Sequence, residues 1–385
     1  MHIISMKESI YADNAATTKL DEQAFEVMKK YFNDEYGNAS QPYSFGRKAK
    51  KALKKSRETI SKCLNCKSDE IFFTSGGSES DNWVIKCFGA TRREKIIITS
   101  NIEHHAILNS CNSLDPNLNH VFYLDVDDTG IVNKVQLVDL LEKYKNSDAQ
   151  ILVSIMMANN EIGTIEPIKE LAEITHKYGG YFHTDAVQAV GHINIDIENL
   201  NVDFLSASSH KFNGPKGIGF LYIKKDSPIT SLIDGGSQEM NFRAGTENIA
   251  SIVGMAKALE VNCINLESNQ VKLLSIETTL LNKLSEFNLN FMRNGNKNHL
   301  PGLVNISFKD QNGEMLLHRM DLLGCSISTG SACDSVNNQV SHVIKSIHVP
   351  DEYKEGTIRI SFGKYNSLED SEEIAIKLNS IINHK

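Results

Sequence analysis

The stretch DFLSASSHKFNGPKGIGFLYI, residues 203–223, sets two short apolar runs around a connection that carries Lys211, flanked by Ser208, His210 and a Gly-Pro-Lys-Gly turn. Runs of about four to eight apolar and β-branched residues bounded by Gly and Pro read as buried strands. The runs at 203–208 and 218–223 therefore read as an antiparallel pair joined by the glycine- and proline-rich connection. A lysine at the end of a buried strand, beside a hydroxyl and an imidazole, is a candidate for condensing with a carbonyl group. Taken alone it reads as a solvated surface lysine, and the company it keeps reverses that reading.

Working outward, EIFFT (70–74), KIIIT (95–99), HVFYL (120–124), QILVSIMM (150–157) and GYFHT (180–184) are further strand candidates. Helix-period segments separate them, such as PIKELAEITHKYG, which Pro167 opens and Gly179 follows. This alternation predicts an α/β fold with a mainly parallel sheet between helices. From Thr246, ENIASIVGMAKALEVNCINL sets Ile249, Ile252, Val253, Ala256 and Leu259 on one face of a long amphipathic helix, with a unit boundary at 255–265. Beyond it, LVNISF (303–308), CSIST (325–329) and TIRISFG (357–363) mix strands and helices in an α+β manner. A chain of 385 residues exceeds what a single core usually serves, so a large and a smaller domain are expected.

The 41% hydrophobic and 23% charged residues describe an ordered globular protein, and the net charge of −8 without a basic run argues against nucleic acid or an anionic membrane as partner. No apolar run approaches the roughly 18 residues of a membrane span, and Lys7 and Glu8 interrupt the N-terminus. Seven cysteines, at 63, 66, 87, 111, 263, 325 and 333, do not suggest a disulfide framework, and a reducing cytoplasmic setting is expected. Cys63-Leu-Asn-Cys66 has no second pair at ligand spacing, so no metal is required.

Three more polar features end predicted strands, where open α/β sheets bind ligands. FTSGGSESDNW (73–83) reads either as an ordinary strand-to-helix turn or as a phosphate cradle in which Gly77 allows close approach and Ser78 caps. In HTDAVQAVG (183–191), Asp185 is either a helix cap or a carboxylate awaiting a cation such as a protonated pyridine. In SNIEHHAIL (100–108), a histidine is either core or a stacking, proton-exchanging ring. A thiol, Cys333, lies among small residues in STGSACDSV (328–336), a poor place for a structural cysteine.

The chain resembles the NifS/IscS-type cysteine desulfurases, class-V aminotransferase relatives with the pyridoxal-phosphate-dependent aspartate-aminotransferase fold. The resemblance rests on YADNAATT (11–18), TSGGSES (74–80), EHHAIL (103–108), NNEIG (159–163), DAVQ (185–188), SSHKFNGPKGIG (208–219), RAGTEN (243–248), STGSAC (328–333) and RISFG (359–363), in that order across nearly the whole chain. It implies a large domain, residues 15–257, with a seven-stranded mainly parallel sheet. Residues 1–14 and 258–385 would form a small domain carrying the cysteine loop. Lys211 would hold pyridoxal 5'-phosphate, Asp185 would pair with its ring nitrogen, and His104 would stack on the ring and handle a proton. Asn160 and Gln188 would lie near the phenolic oxygen, and Gly77, Ser78, Ser208 and His210 at the phosphate. Thr246 would reach the site of the other subunit of a homodimer. Arg359, with Asn160, would bind the carboxylate of L-cysteine. Cys333 would take the sulfur as a persulfide, with release of L-alanine, pass the sulfur to an iron–sulfur scaffold or a thiolation relay, and serve as a transient iron–sulfur ligand. The same fold also serves selenocysteine lyases and cysteine sulfinate desulfinases, and a non-catalytic partner-binding platform is a third reading.

The chain departs from this pattern in two places. Gly37-Asn38-Ala39-Ser40-Gln41-Pro42-Tyr43 replaces the proline- and histidine-bearing GNPSSxH segment. DSVNNQVSHV keeps the length of the long-loop group without its proline before Ser341.

Overall fold

Strands whose residues are apolar on both faces must be covered on both faces, and the chain satisfies this with one large sheet. The computed structural model describes residues 9–89, 93–330 and 340–383. Within them β1 (Ile10–Tyr11) precedes the strands of the large sheet, β2 (Ile71–Thr74), β3 (Lys95–Ser100), β4 (Asn119–Leu124), β5 (Gln150–Ser154), β6 (Tyr181–Asp185), β7 (Phe204–Ser208) and β8 (Gly219–Ile223). Then follow β9 (Phe291–Asn294), β10 (Leu303–Phe308), β11 (Cys325–Ser326) and β12 (Thr357–Ser361).

The large sheet runs β2-β8-β7-β6-β5-β3-β4. Its members are parallel except β8, which is antiparallel to both β2 and β7. The pairing of β7 with β8 bears out the reading of residues 203–223, with Ser208 opposite Gly219. β2, β3, β7 and β8 are buried throughout, whereas β4, at the sheet edge, is only partly covered. The chain passes from β3 out to β4 and returns on the other side of β3 as β5. Strand order therefore reverses between β3 and β5, and the loops after these strands part to leave a crevice at their carboxyl ends.

A second, smaller core lies over the antiparallel sheet β9-β10-β12. Leu273, Ile276 and Leu280 of the helix Leu266–Glu286 and Ile374 and Leu378 of the helix Leu368–Asn383 pack with Val304, Ile306, Ile358 and Ile360. Ile10 and Ala12 join this cluster from the far end of the chain, where β1 pairs parallel with β11. The next residues cross to the large sheet: Ala15 N–H donates to Ser361 Oγ at 2.9 Å, and Thr18 N–H to the His210 carbonyl at 3.0 Å. Residues 10–18 thus tie the small sheet to the turn that bears Lys211.

Three elements differ from the sequence reading. The strand expected over 150–157 ends at Ser154, although Ile155 and Met157 still donate to the carbonyls of His183 and Asp185 at 3.1 and 2.8 Å. Only Cys325–Ser326 of the expected 325–329 strand forms, because the chain then leaves β1 and Ser328 exchanges backbone hydrogen bonds with Arg359. The helix expected to be amphipathic, Ile249–Ile264, is buried on most of its surface between the helices Glu22–Asn33 and Ser44–Leu64. It stops at Asn265, where the helix Leu266–Glu286 sets off at 72°.

Close backbone approach at the end of β8 makes one glycine indispensable. A Cβ on Gly219 would lie 2.4 Å from the Ala207 carbonyl and 2.8 Å from Gly76 Cα, neither of which can rotate away. Gly219→Ala is therefore expected to cost about 1–3 kcal/mol of stability, measured by chemical denaturation of the cofactor-free protein.

Candidate active site

The crevice encloses a cavity of about 300 Å³. Ten of the residues singled out from the sequence line it together: Gly77, Ser78, His104, Asn160, Asp185, Gln188, Ser208, His210, Lys211 and Arg359. They arrive from the ends of β2, β3, β5, β6 and β7 and from the middle of β12.

Lys211 closes the short turn Ser209–Lys211 after β7, and its Nζ donates to the carbonyls of Ala15 and Ala16 at 2.5 and 2.9 Å. Gln188 donates to the same Ala15 carbonyl at 2.9 Å. The crossing segment therefore fixes both side chains on the cavity wall. No role for Ala15 and Ala16 is legible from their residue type; the compact DNAATT run was the available signal, and its function lies in its carbonyls.

Asp185 ends β6 and is 5% exposed. Its Oδ1 accepts from the Val187 N–H at 2.9 Å. Burial raises its pKa to about 6, against the opposing pulls of the Val187 N–H and the Lys211 ammonium. A cation at Asp185 would relieve that cost, as a protonated ring nitrogen does.

Opposite it, the helix Gly77–Cys87 starts without a side-chain cap, so its first N–H groups and positive dipole end are available to an anion. A Cβ on Gly77 would come within 2.5 Å of Val187 Cγ2, so glycine keeps this cradle open. Ser208 is nearly buried beside it. His210 Nδ1 lies 3.1 Å from Thr17 Oγ1, and burial followed by Lys211 and Lys216 drives its pKa down to about 4, leaving it neutral until an anion arrives.

His104 is the N-cap of the helix His105–Asn112, its Nδ1 accepting from the Ala106 N–H at 3.1 Å. This places the proton of the neutral ring on Nε2. Asn159 Oδ1 accepts from the N–H groups of Glu161 and Ile162 at 2.8 and 3.0 Å, a tight turn that presents Asn160 to the cavity. Arg359 is 2% exposed, and donates to Asp13 Oδ1 at 2.7 Å and to the Asn160 carbonyl at 2.9 Å. Among the described residues its buried Nε has no partner, a donor suited to an incoming carboxylate.

Two assigned residues are not among those that line the cavity in the described part of the chain. Thr246 is exposed and does not line this cavity. Cys333 lies outside the described residues, five positions after Ser328. The cavity also has lining residues that the sequence reading did not assign, among them Asp81, Met156, Ala158 and Val187.

An open helix start, a carboxylate in need of a cation and an amine beside them match the phosphate, ring nitrogen and aldehyde of pyridoxal phosphate. For the cofactor-free protein the cost of ionising Asp185 is absent below its ordinary pKa of 3.8, sets in as pH rises toward about 6 and is complete above that. Asp185→Asn is accordingly expected to stabilise the cofactor-free protein by about 1–3 kcal/mol at pH 8 and not at pH 4, measured by urea denaturation. The same variant should bind pyridoxal phosphate more weakly.

Residues 10–374 match the family model of aminotransferase class-V. The chain is 46% identical to a cysteine desulfurase IscS of Dictyoglomus turgidum, covering 95% of this chain and 92% of the relative. It is 36% identical to the cysteine desulfurase NifS of Azotobacter vinelandii, covering 97% and 92%. Among solved structures, a NifS-like protein superposes with a TM-score of 0.90 at 35% identity, covering 98% of this chain and all of that one. SspA in complex with cysteine superposes with a TM-score of 0.81 at 33% identity, covering 93% and 100%. With the fold, the cavity and these likenesses in agreement, the chain belongs to the class-V aminotransferase family.

Proposed function

We infer that the protein is a pyridoxal-phosphate-dependent cysteine desulfurase, converting L-cysteine to L-alanine with transfer of sulfur to Cys333. The observation that carries this reading is the convergence of Lys211, Asp185 and Arg359 on one cavity. The names of the relatives agree with it.

Lys211 would hold the cofactor's aldehyde carbon, Asp185 its ring nitrogen, and Gly77, Ser78, Ser208 and His210 its phosphate. Bound there, the cofactor supplies an electron sink for the charge left when a proton leaves the substrate's Cα. Arg359 orients the substrate by its carboxylate, with Asn160 beside it. The Lys211 amine, steadied by the Ala15 and Ala16 carbonyls, moves the Cα proton. His104 holds a proton at Nε2, facing the same space. Cys333 accepts the sulfur: the substrate's C–S bond breaks and an S–S bond forms. L-Cysteine and the Cys333 thiol thus become L-alanine and the Cys333 persulfide, with all atoms accounted for. We further propose that the Cys333 persulfide is delivered to an acceptor such as an iron–sulfur scaffold. Thr246, exposed on its own subunit, would serve the partner's phosphate in a homodimer.

Incubating the purified, cofactor-loaded protein with L-cysteine, and following alanine together with Cys333 persulfide by mass spectrometry, tests this reading. Lys211→Ala and Cys333→Ser are each expected to lower alanine formation by about 100-fold or more. Undiminished sulfur transfer by Cys333→Ser would overturn the assignment. Arg359→Lys, which keeps the charge and loses the planar fork, is expected to raise KM for cysteine about 10-fold or more in steady-state assays.

A further inference from the structure

A long side chain that must meet a small anion in one orientation has to be held, because each rotatable bond left free costs affinity when the ligand arrives. Arg359 is such a side chain, and its guanidinium is already out of water. Among the described residues two groups hold it: the Asn160 carbonyl accepts from Nη1 at 2.9 Å, and Asp13 Oδ1 accepts from Nη2 at 2.7 Å. Asp13 is also its ion-pair partner.

Asp13 is itself fixed against β12, beside Ser361, which lies two residues beyond Arg359 on the same face of the strand. The Ser361 N–H donates to the Ala12 carbonyl at 2.8 Å, and the Asn14 N–H returns a bond to the Ser361 carbonyl at 3.0 Å. The Asp13 carbonyl accepts from the Ala16 N–H at 3.0 Å and from the Tyr11 hydroxyl at 2.9 Å. Asn14 Nδ2 donates to the Ser361 carbonyl at 2.9 Å and to Asn366 Oδ1 at 3.2 Å. A Cβ on Gly363 would lie 2.4 Å from Asn14 Oδ1, so glycine lets this segment lie close to the end of β12.

Arg359 lines the cavity and Asp13 does not, so the carboxylate reaches Nη2 from behind the guanidinium and leaves the cavity side clear. With Nη1 and Nη2 both bonded, the plane of the guanidinium is set, and the buried Nε, without a hydrogen-bond partner among the described residues, is a remaining donor. Two effects of Asp13 oppose each other. Its charge weakens the pull of Arg359 on a second carboxylate, while its bond keeps a buried cation from turning toward water or another acid. In a closed site with a planar donor set, orientation is the larger effect.

We propose that Asp13 is a positioning residue for substrate binding: from outside the cavity it orients the Arg359 guanidinium through Nη2, so that the free donors meet the carboxylate of an amino acid. This role rests on the reading of Arg359 given above. Asp13 touches neither substrate nor cofactor and acts through Arg359.

The holoenzyme, loaded with pyridoxal phosphate, is titrated with L-alanine, the product, and with ethylamine, which is alanine without its carboxylate. The half-saturating concentration of each is read from the bound cofactor's visible absorbance, and their ratio reports the contribution of the carboxylate. Asp13→Ala is expected to lower the preference for alanine about tenfold or more while keeping the ethylamine value within about threefold of wild type. Asp13→Asn, which retains an oxygen acceptor for Nη2, is expected to keep the preference within about threefold of wild type. Added to Arg359→Ala, Asp13→Ala is expected to lower the preference no further, because the two residues act as a unit. Equal weakening of both ligands in Asp13→Ala would mark a general structural defect and overturn the proposal. An unchanged or increased preference for alanine would also overturn it, as would an Asp13→Asn loss equal to that of Asp13→Ala or a further loss in the Arg359→Ala background. Should Asp13→Ala not fold by circular dichroism, Asp13→Glu takes its place: it keeps the charge, displaces the guanidinium by about one methylene and is expected to lower the preference about threefold or more, an unchanged preference overturning the proposal. A wild-type holoenzyme without preference for alanine over ethylamine would instead overturn the reading of Arg359, and failure to bind pyridoxal phosphate the cofactor reading.

Discussion

A carboxylate buried at the end of a strand is expensive unless something positive meets it, and the cavity is arranged around that constraint at Asp185. Its backbone carbonyl is taken by Met157 and one carboxylate oxygen by Val187, while β5, β7 and the helix Gly77–Cys87 shield it from water. The protein thereby holds a charge whose natural partner is a ligand, and the raised pKa of Asp185 records the cost of waiting. Stability is spent locally to make a specific cation welcome, a pattern common where sites are preorganised.

The second organising feature is the crossing segment 10–18. It belongs at one end to the small core through Ile10 and Ala12, and at the other to the Lys211 turn through Thr18. Between these ends, Asp13 bonds Arg359, and Ala15 and Ala16 bond Lys211. The residue read as binding the substrate's carboxylate and the residue read as holding the cofactor are thus linked through a few peptide units. A movement of the small sheet relative to the large one would be felt at both, which is one physical reason for Arg359 to sit on β12 and not on a loop.

Much of the architecture was readable from the chain because the large sheet is buried on both faces. Its strands stand out as unbroken apolar runs between glycines and prolines, and the pairing of β7 with β8 followed from one short connection. The reading was less accurate where pattern and packing diverge. Residues 155–157 are as apolar as a strand yet sit beyond its end, and the helix Ile249–Ile264 has few polar positions because other helices enclose it. Among the site residues, Lys211, Asp185, His104 and Arg359 carry distinctive chemistry and could be nominated from their neighbours. Ala15 and Ala16 could not, because they act through backbone carbonyls.

The class of fold, the order of the strands along the chain and the residue types available for chemistry can be read along the chain, since periodicity and motif spacing are local properties. Which of those residues share a cavity, and which donors are already engaged, emerged with the three-dimensional packing. Desolvation and hydrogen-bond satisfaction depend on what lies within a few ångströms in space, and segments far apart along the chain supply those neighbours.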